Sequence, residues 1–237
     1  MNKSNLPTLV LLPGLLCDES LWQNQLVALS DICNPQVANL TLDNSIAAMA
    51  IRVLDNAPER FALAGLSMGG YVAFEIMRRA PERVICLALF DTMARLDEPQ
   101  KAAQRKGLIK VTENGHFLGV TPKLLPTLIY KNKLDSPVAT TVMQMAKQLG
   151  KEVFIKQQTA IINRQDSTTT LTQIKVPTWV IVGADDKVTP PAESVFMADT
   201  ITNAHLYRLP KCGHLAPLEL PNETTELLRK WLLANTN

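Results

Sequence analysis

The residues in this 237-residue chain that could do chemistry together are few, and their placement matters more than their number. Ser67 stands between glycines in Gly65-Leu66-Ser67-Met68-Gly69-Gly70, and the histidines are His116, His205 and His214. Asp91, Asp185 and Asp186 lie just behind apolar runs. A serine hydroxyl is hardly ionised at neutral pH and becomes a nucleophile only beside a general base. That base in turn needs a carboxylate to fix its tautomer and to stabilise the imidazolium as it forms. Gly-x-Ser-x-Gly between an apolar run (Phe61 to Ala64) and a helical pattern (Tyr71 to Arg79) is the strand–turn–helix setting that presents such a serine. The pentapeptide is weak evidence by itself, so the chain must also supply the base, the acid and the oxyanion donors.

Three histidines make the search for a base sharp. His205 alternates with Leu206, Tyr207 and Arg208 as a residue on one face of a strand, and His116 reads as a solvated loop histidine beside Gly115. His214 directly follows a strand, in Pro210-Lys211-Cys212-Gly213-His214, and is the expected base. For the acid, Asp91 and the pair Asp185-Asp186 both satisfy the order Ser…Asp…His.

The elements that must position these residues follow from the apolar pattern. Thr8 to Leu12, Asn34 to Leu40, Phe61 to Ala64, Val84 to Phe90, Thr178 to Val182 and His205 to Leu209 read as strands. Helical patterns separate them: one through Trp22, Leu26 and Leu29 capped by Asp18 or Ser20, then Ser45 to Ala57, Tyr71 to Arg79, Pro191 to Ile201, and Asn222 to Ala234 capped by Asn222. This alternation predicts an α/β fold with a parallel sheet covered by helices on both faces. Between the fourth and fifth strands lies an all-helical block, residues 93–165, with helices expected over 98–113, 122–130, 137–149 and 151–163. Catalytic groups of such sheets gather at the carboxyl ends of the strands. The block leaves from one such end and is expected to cap the site within a single domain spanning 1–237.

Composition excludes other classes. Hydrophobic residues at 46% and charged residues at 19% suit a globular chain rather than a disordered one. A formal charge of +2 gives no reason to expect nucleic acid or an anionic membrane as partner. The basic run Lys101, Arg105, Lys106 and Lys110 reads as a solvated helix face, and Arg164 with Asp166 as a surface pair. No clustered arginines mark an anion clamp. Cys17, Cys33, Cys86 and Cys212 form no C-x-x-C pair and read as reduced thiols of a cytoplasmic protein. No apolar segment reaches the length of a membrane span. No metal or organic cofactor is expected.

Leu11-Leu12-Pro13-Gly14, the elbow at Ser67, Gly183-Ala184-Asp185-Asp186-Lys187-Val188-Thr189-Pro190 and Gly213-His214-Leu215-Ala216-Pro217-Leu218-Glu219-Leu220-Pro221 together resemble the α/β-hydrolase superfamily. The likeness is to its small bacterial carboxylesterase and enol-lactonase-like branch, which includes pimeloyl-ester esterases and 3-oxoadipate enol-lactonases. It spans nearly the whole chain, with the helical block matching in length and position. In that branch the acid lies three residues after the glycine of G-x-x-D-x-x-x-P, which implies Asp186, with Asp185 a polar neighbour. Asp91 remains an alternative, because some lipases of the superfamily draw their acid from that earlier strand. The oxyanion hole is expected from the Met68 N–H and, by the family's His-Gly-x loop, from the Leu15 N–H; Pro13 here replaces the histidine. The implied activity is hydrolysis of a small carboxylic ester, lactone or thioester through an acyl-enzyme. C–C bond hydrolysis, acyl transfer, perhydrolysis or a weakly catalytic receptor on the same fold are the alternatives. Leu15, Phe117 and Phe154 are candidate substrate contacts in an apolar pocket, and the expected assembly is a monomer or homodimer.

Overall fold

The computed structural model describes residues 6–236. Six strands form one fully parallel sheet: β1 (Thr8–Leu12), β2 (Asn34–Val37), β3 (Phe61–Leu66), β4 (Val84–Phe90), β5 (Thr178–Gly183) and β6 (Ala204–Leu209), in the order β2-β1-β3-β4-β5-β6. The order reverses at β1, so the chain winds outward both ways and leaves β1, β3 and β4 in the middle. β3 is buried at every residue, as expected of a strand covered on both faces.

Alternation along the strands divides the core in two. Val10, Leu12, Leu63, Leu87, Leu89 and Val180 face α2 (Ile46–Asn56), α3 (Met68–Arg79) and α8 (Pro191–Thr200). Leu9, Leu11, Ala62, Ala64, Cys86, Ala88, Phe90 and Ile181 face the other way, toward Trp22 and α10 (Pro221–Asn235). The two-residue period of a strand produces this split directly. Trp22 packs edge-on against Phe90 with ring centroids 5.5 Å apart. Local signals set the helix starts: Asp18 accepts from the Ser20 N–H at the short 3₁₀ turn before α1 (Gln23–Ala28), and Ser45 accepts from the Ala48 N–H at α2. α10 begins at Pro221, with Leu220 rather than Asn222 at its cap, because Pro at the first helical position has no N–H to satisfy.

The helical block holds α4 (Pro99–Glu113), α5 (Leu125–Leu128), α6 (Pro137–Ile162) and α7 (Thr168–Leu171). The helix expected over 122–130 shrinks to four residues, since Pro126 within that run cannot donate to the preceding turn. α6 is continuous in the chain but broken at Gly150, whose φ of 75° lies outside helical geometry. Its first half sends Ala139, Val142 and Met145 to one face's core, and its second half sends Ala160 and Ile161 to the other's. The bent helix therefore straddles the carboxyl edge of the sheet. Among the described residues, no helix is long and apolar enough to cross a membrane.

The turn from β3 into α3 fits only because glycines flank Ser67. A Cβ on Gly65 would lie 2.6 Å from Gly69 O, and one on Gly69 would strike Leu12 O in β1. Both obstacles are backbone and cannot rotate away. Gly69→Ala is therefore expected to lower the unfolding free energy in urea by about 1–3 kcal/mol, the cost of overpacking a rigid core. A change below about 0.5 kcal/mol, as for a surface position, would contradict this close approach.

Candidate active site

Five loops leaving strand ends build the site, and four of them carry a non-glycine residue with positive φ. Leu16 follows β1 (φ 55°), Ser67 follows β3 (55°), Asp91 follows β4 (44°) and Lys211 follows β6 (56°). Such a backbone costs about 1–3 kcal/mol per residue and persists only where its surroundings over-determine it. At Ser67 those surroundings are visible. Its N–H donates to Phe90 O at 3.0 Å, and its carbonyl accepts from Thr92 Oγ1 at 2.8 Å.

His214 is held from several sides. Its Nδ1 lies 2.8 Å from Asp186 Oδ2, and both residues are buried. Its backbone N–H donates to Leu128 O of the helical block. Glu219, fully buried, accepts from the N–H groups of Gly213 (3.0 and 3.1 Å) and Leu215 (3.1 Å) on either side of the histidine, and from Tyr130 N–H (2.6 Å). Burial raises the Glu219 carboxyl above its ordinary value, and those three N–H groups oppose the rise. His116 and His205 are exposed and take no part.

Asp186 is equally well supplied. Oδ2 accepts from Thr189 Oγ1 (2.6 Å), and Oδ1 accepts from the N–H groups of Val188 (2.7 Å) and Thr189 (3.1 Å). Burial pushes this carboxyl up, but the charge of His214 and the bonds from His214, Thr189 and Val188 outweigh it, so the group sits below its ordinary value. Asp185 is exposed. Asp91 lies close by with a different partner: its Oδ1 accepts from Gly183 N–H at 2.8 Å. Burial and the Asp186 charge push the Asp91 carboxyl well above the usual range, and Gly183 only partly opposes them. One ligand-capable atom each from Asp91, Asp186 and His214 lie within 4.8 Å of one another. The Asp186 oxygens and His214 Nδ1 are already engaged with protein groups, which fits an acid–base pair better than an open metal site.

Ser67 and His214 line one cavity of about 160 Å³ beneath the helical block. Leu15, Leu16, Leu124, Leu128, Val142 and Phe154 supply part of its largely apolar wall. Leu15 and Phe154 are thus on the wall, whereas Phe117 lines a neighbouring cavity and packs on Phe154 with centroids 5.5 Å apart. Leu16 N–H is spent on Gln157 Oε1 at 2.9 Å. Neither Leu15 N–H nor Met68 N–H has a protein acceptor among the described residues.

The polar end of this cavity differs from what the sequence suggests. Arg105 and Gln158 line it together with Tyr71, and Arg105 Nη1 donates to Gln158 Oε1 at 2.8 Å. Arg105 Nε also pairs with Asp97 Oδ2 at 2.7 Å, and buried Arg164 reaches the same oxygen at 3.3 Å. Arg164 lies over the Tyr71 ring at 4.4 Å instead of pairing with Asp166 at the surface. Lys101 donates to Val188 O at 2.7 Å, tying α4 to the Asp186 loop. Half of the basic run on α4 therefore turns inward. The arginines cluster after all, because packing of α4 on α6 joins residues 59 positions apart. No local pattern carried that information. Glu219 is visible in sequence only as an acid five residues after a strand-end histidine, within the stretch from Gly213 to Pro221.

A family profile described as "Serine aminopeptidase, S33" (Hydrolase_4) matches residues 36–221. The chain is similar to a pimeloyl-[acyl-carrier protein] methyl ester esterase of Nitrosomonas europaea, with 24% identity over 92% of this chain and 93% of the other. Among solved structures it resembles a malate-bound thermophilic esterase from Thermogutta terrifontis (29% identity, TM-score 0.86, covering 96% of this chain and 90% of that one). It shares its fold with an enol-lactonase from Burkholderia xenovorans LB400 (24% identity, TM-score 0.86, covering 98% and 94%).

Replacing Glu219 by Gln sets an amide NH₂ against buried N–H donors. Each N–H left unpaired costs about 1–3 kcal/mol, so Glu219→Gln is expected to lose that much unfolding free energy in urea at neutral pH. A loss below about 0.5 kcal/mol would show that the His214 loop does not depend on this carboxyl.

Proposed function

This chain belongs to the Hydrolase_4 family of α/β-hydrolases, and on that premise we propose that it cleaves a small carboxylic ester or lactone through an acyl-enzyme. The observation that carries the reading is the buried 2.8 Å contact between His214 Nδ1 and Asp186 Oδ2, beside a serine that lines the same cavity as the histidine. A carboxylate on Nδ1 favours the tautomer with its proton there and leaves Nε2 free as the base. In the proposed sequence, Ser67 Oγ attacks the substrate carbonyl carbon while Nε2 takes the hydroxyl proton. The Leu15 and Met68 N–H groups receive the oxyanion, and Asp186 stabilises the imidazolium. The imidazolium then protonates the departing alkoxide. In the second half-reaction His214 removes a proton from water, which attacks the acyl carbonyl, and the imidazolium returns that proton to Ser67 Oγ as the carboxylic acid departs.

The cavity wall narrows the substrate. An aminopeptidase must hold an ammonium group, yet no carboxylate side chain is among the described residues that line the cavity. Arg105 is, and Asp97 already divides its charge between Arg105 and Arg164. The polar end therefore suits an anionic or hydrogen-bond-accepting substituent on the substrate, with the apolar wall around its carbon skeleton. The malate bound in the thermophilic esterase is consistent with a small dicarboxylate-sized guest in that relative.

Ser67→Ala is expected to reduce kcat on a p-nitrophenyl ester by about 10³-fold or more while leaving the unfolding midpoint unchanged. Retained turnover would overturn the reading. Arg105→Met is expected to raise KM about tenfold for an ester bearing a distal carboxylate, and far less for its neutral methyl-capped analogue. Equal effects on the two substrates would remove Arg105 from substrate recognition.

A further inference from the structure

Asp91 is a buried titratable group for which the proposed reaction has no use. It is wholly inaccessible, and among the described residues its Oδ2 has no hydrogen-bond partner although its Oδ1 is fixed by the Gly183 N–H. Its backbone is pinned as firmly. The N–H donates to Ile181 O at 2.9 Å, and the next residue, Thr92, holds the Ser67 carbonyl. The residue also keeps a φ of 44°, which an aspartate adopts only at a cost. A carboxyl so rigidly held, with one oxygen orphaned and its neighbours acidic, needs an explanation.

We propose that Asp91 is a positioning residue whose carboxyl donates a hydrogen bond from Oδ2 to the Asp186 carboxylate and so holds Asp186 against His214. The groups facing it make this arrangement favourable. Asp186 comes from the loop after β5, His214 from the loop after β6, and Glu219 from α9 (Ala216–Glu219). Two adjacent buried carboxylates repel strongly, whereas one proton between them turns repulsion into a donor–acceptor pair. The orphaned oxygen then becomes the O–H donor, and Oδ1 keeps its bond from Gly183. The same directions appear in the site: Asp91 is driven toward its protonated form by burial and by Asp186, while Asp186 stays ionised beside the histidine. Asp91 does not touch the reacting atoms; it acts through Asp186. The catalytic consequence rests on the reaction proposed for Ser67, but the protonation of Asp91 does not.

Two variants and one spectrum test it. Asp91→Asn keeps an acceptor for Gly183 and an N–H donor for Asp186. It should retain kcat within about threefold and leave the acid limb of the kcat/KM pH profile in place. Asp91→Ala removes the donor and should lower kcat about tenfold or more with KM unchanged. Difference infrared spectra of the wild type against Asp91→Asn should show a protonated-carboxyl C=O stretch at neutral pH that the variant lacks. That measurement stands even if Ser67→Ala proves active and the esterase reading fails. An absent band would overturn the proposal. So would an acid limb displaced to lower pH in Asp91→Asn, because it would mean that an anion beside His214 had been removed. An Asn variant as impaired as the Ala variant would also overturn it.

The linkage gives a further expectation. A carboxyl whose folded-state pKa is raised binds more protons folded than unfolded, so its burial costs stability above the ordinary carboxyl range and nothing below it. Asp91→Asn should therefore raise Tm at neutral pH, with the gain shrinking as pH falls from neutral toward about 4 and gone below it. A gain that persists unchanged at acid pH would show that Asp91 was not the proton holder.

Discussion

The 2.8 Å bond between Asp186 and His214 is the constraint around which the rest of the structure is arranged. Placing a carboxylate in a buried site is expensive unless other groups replace its hydration. Here one side-chain hydroxyl and two backbone N–H groups do so, all within three residues of Asp186 itself. The loop Asp186-Lys187-Val188-Thr189 folds back on its own first residue, so the anion carries its solvation with it. Burial alone would push the carboxyl up; these donors and the imidazole reverse the sign.

The same logic extends outward. Glu219 ties the N–H groups on both sides of His214, and Leu128 O takes the N–H of the histidine itself. Because Leu128 belongs to the helical block, that block is joined to His214 as well as lying over it. Lys101 adds a second tie, from α4 to Val188 in the Asp186 loop. Backbone strain concentrates at the four strand ends where Leu16, Ser67, Asp91 and Lys211 sit, which is where rigid placement matters and where a relaxed chain would lose it.

What the sequence reveals and what it hides divide along a physical line. The strands around Ser67 and the parallel α/β fold are legible because continuous apolar runs bounded by glycine and proline have few other homes. Ser67, Asp186 and His214 stand out because each lies directly behind such a run within a short local pattern. The inward turn of Arg105, the burial of Arg164 over Tyr71 and the retreat of Phe117 behind Phe154 are set by how α4 and α6 pack. That packing joins residues far apart in the chain, and a basic helix face looks the same in sequence whether it meets water or a buried aspartate. The difference between Asp91 and Asp186 is hidden for a related reason. Both follow strands, and although the G-x-x-D-x-x-x-P resemblance favours Asp186, how differently the two carboxyls are held is set by the three-dimensional supply of donors.

The proposed reaction passes through a covalent intermediate at one serine. The most direct measurement is rapid mixing of the wild-type chain with excess p-nitrophenyl acetate, with the quenched protein then digested and mapped by mass spectrometry. A burst of about one p-nitrophenolate per chain, with an acetyl group on the peptide containing Ser67, is the predicted result. Steady turnover with no acylated peptide, or acylation at another residue alone, would contradict it.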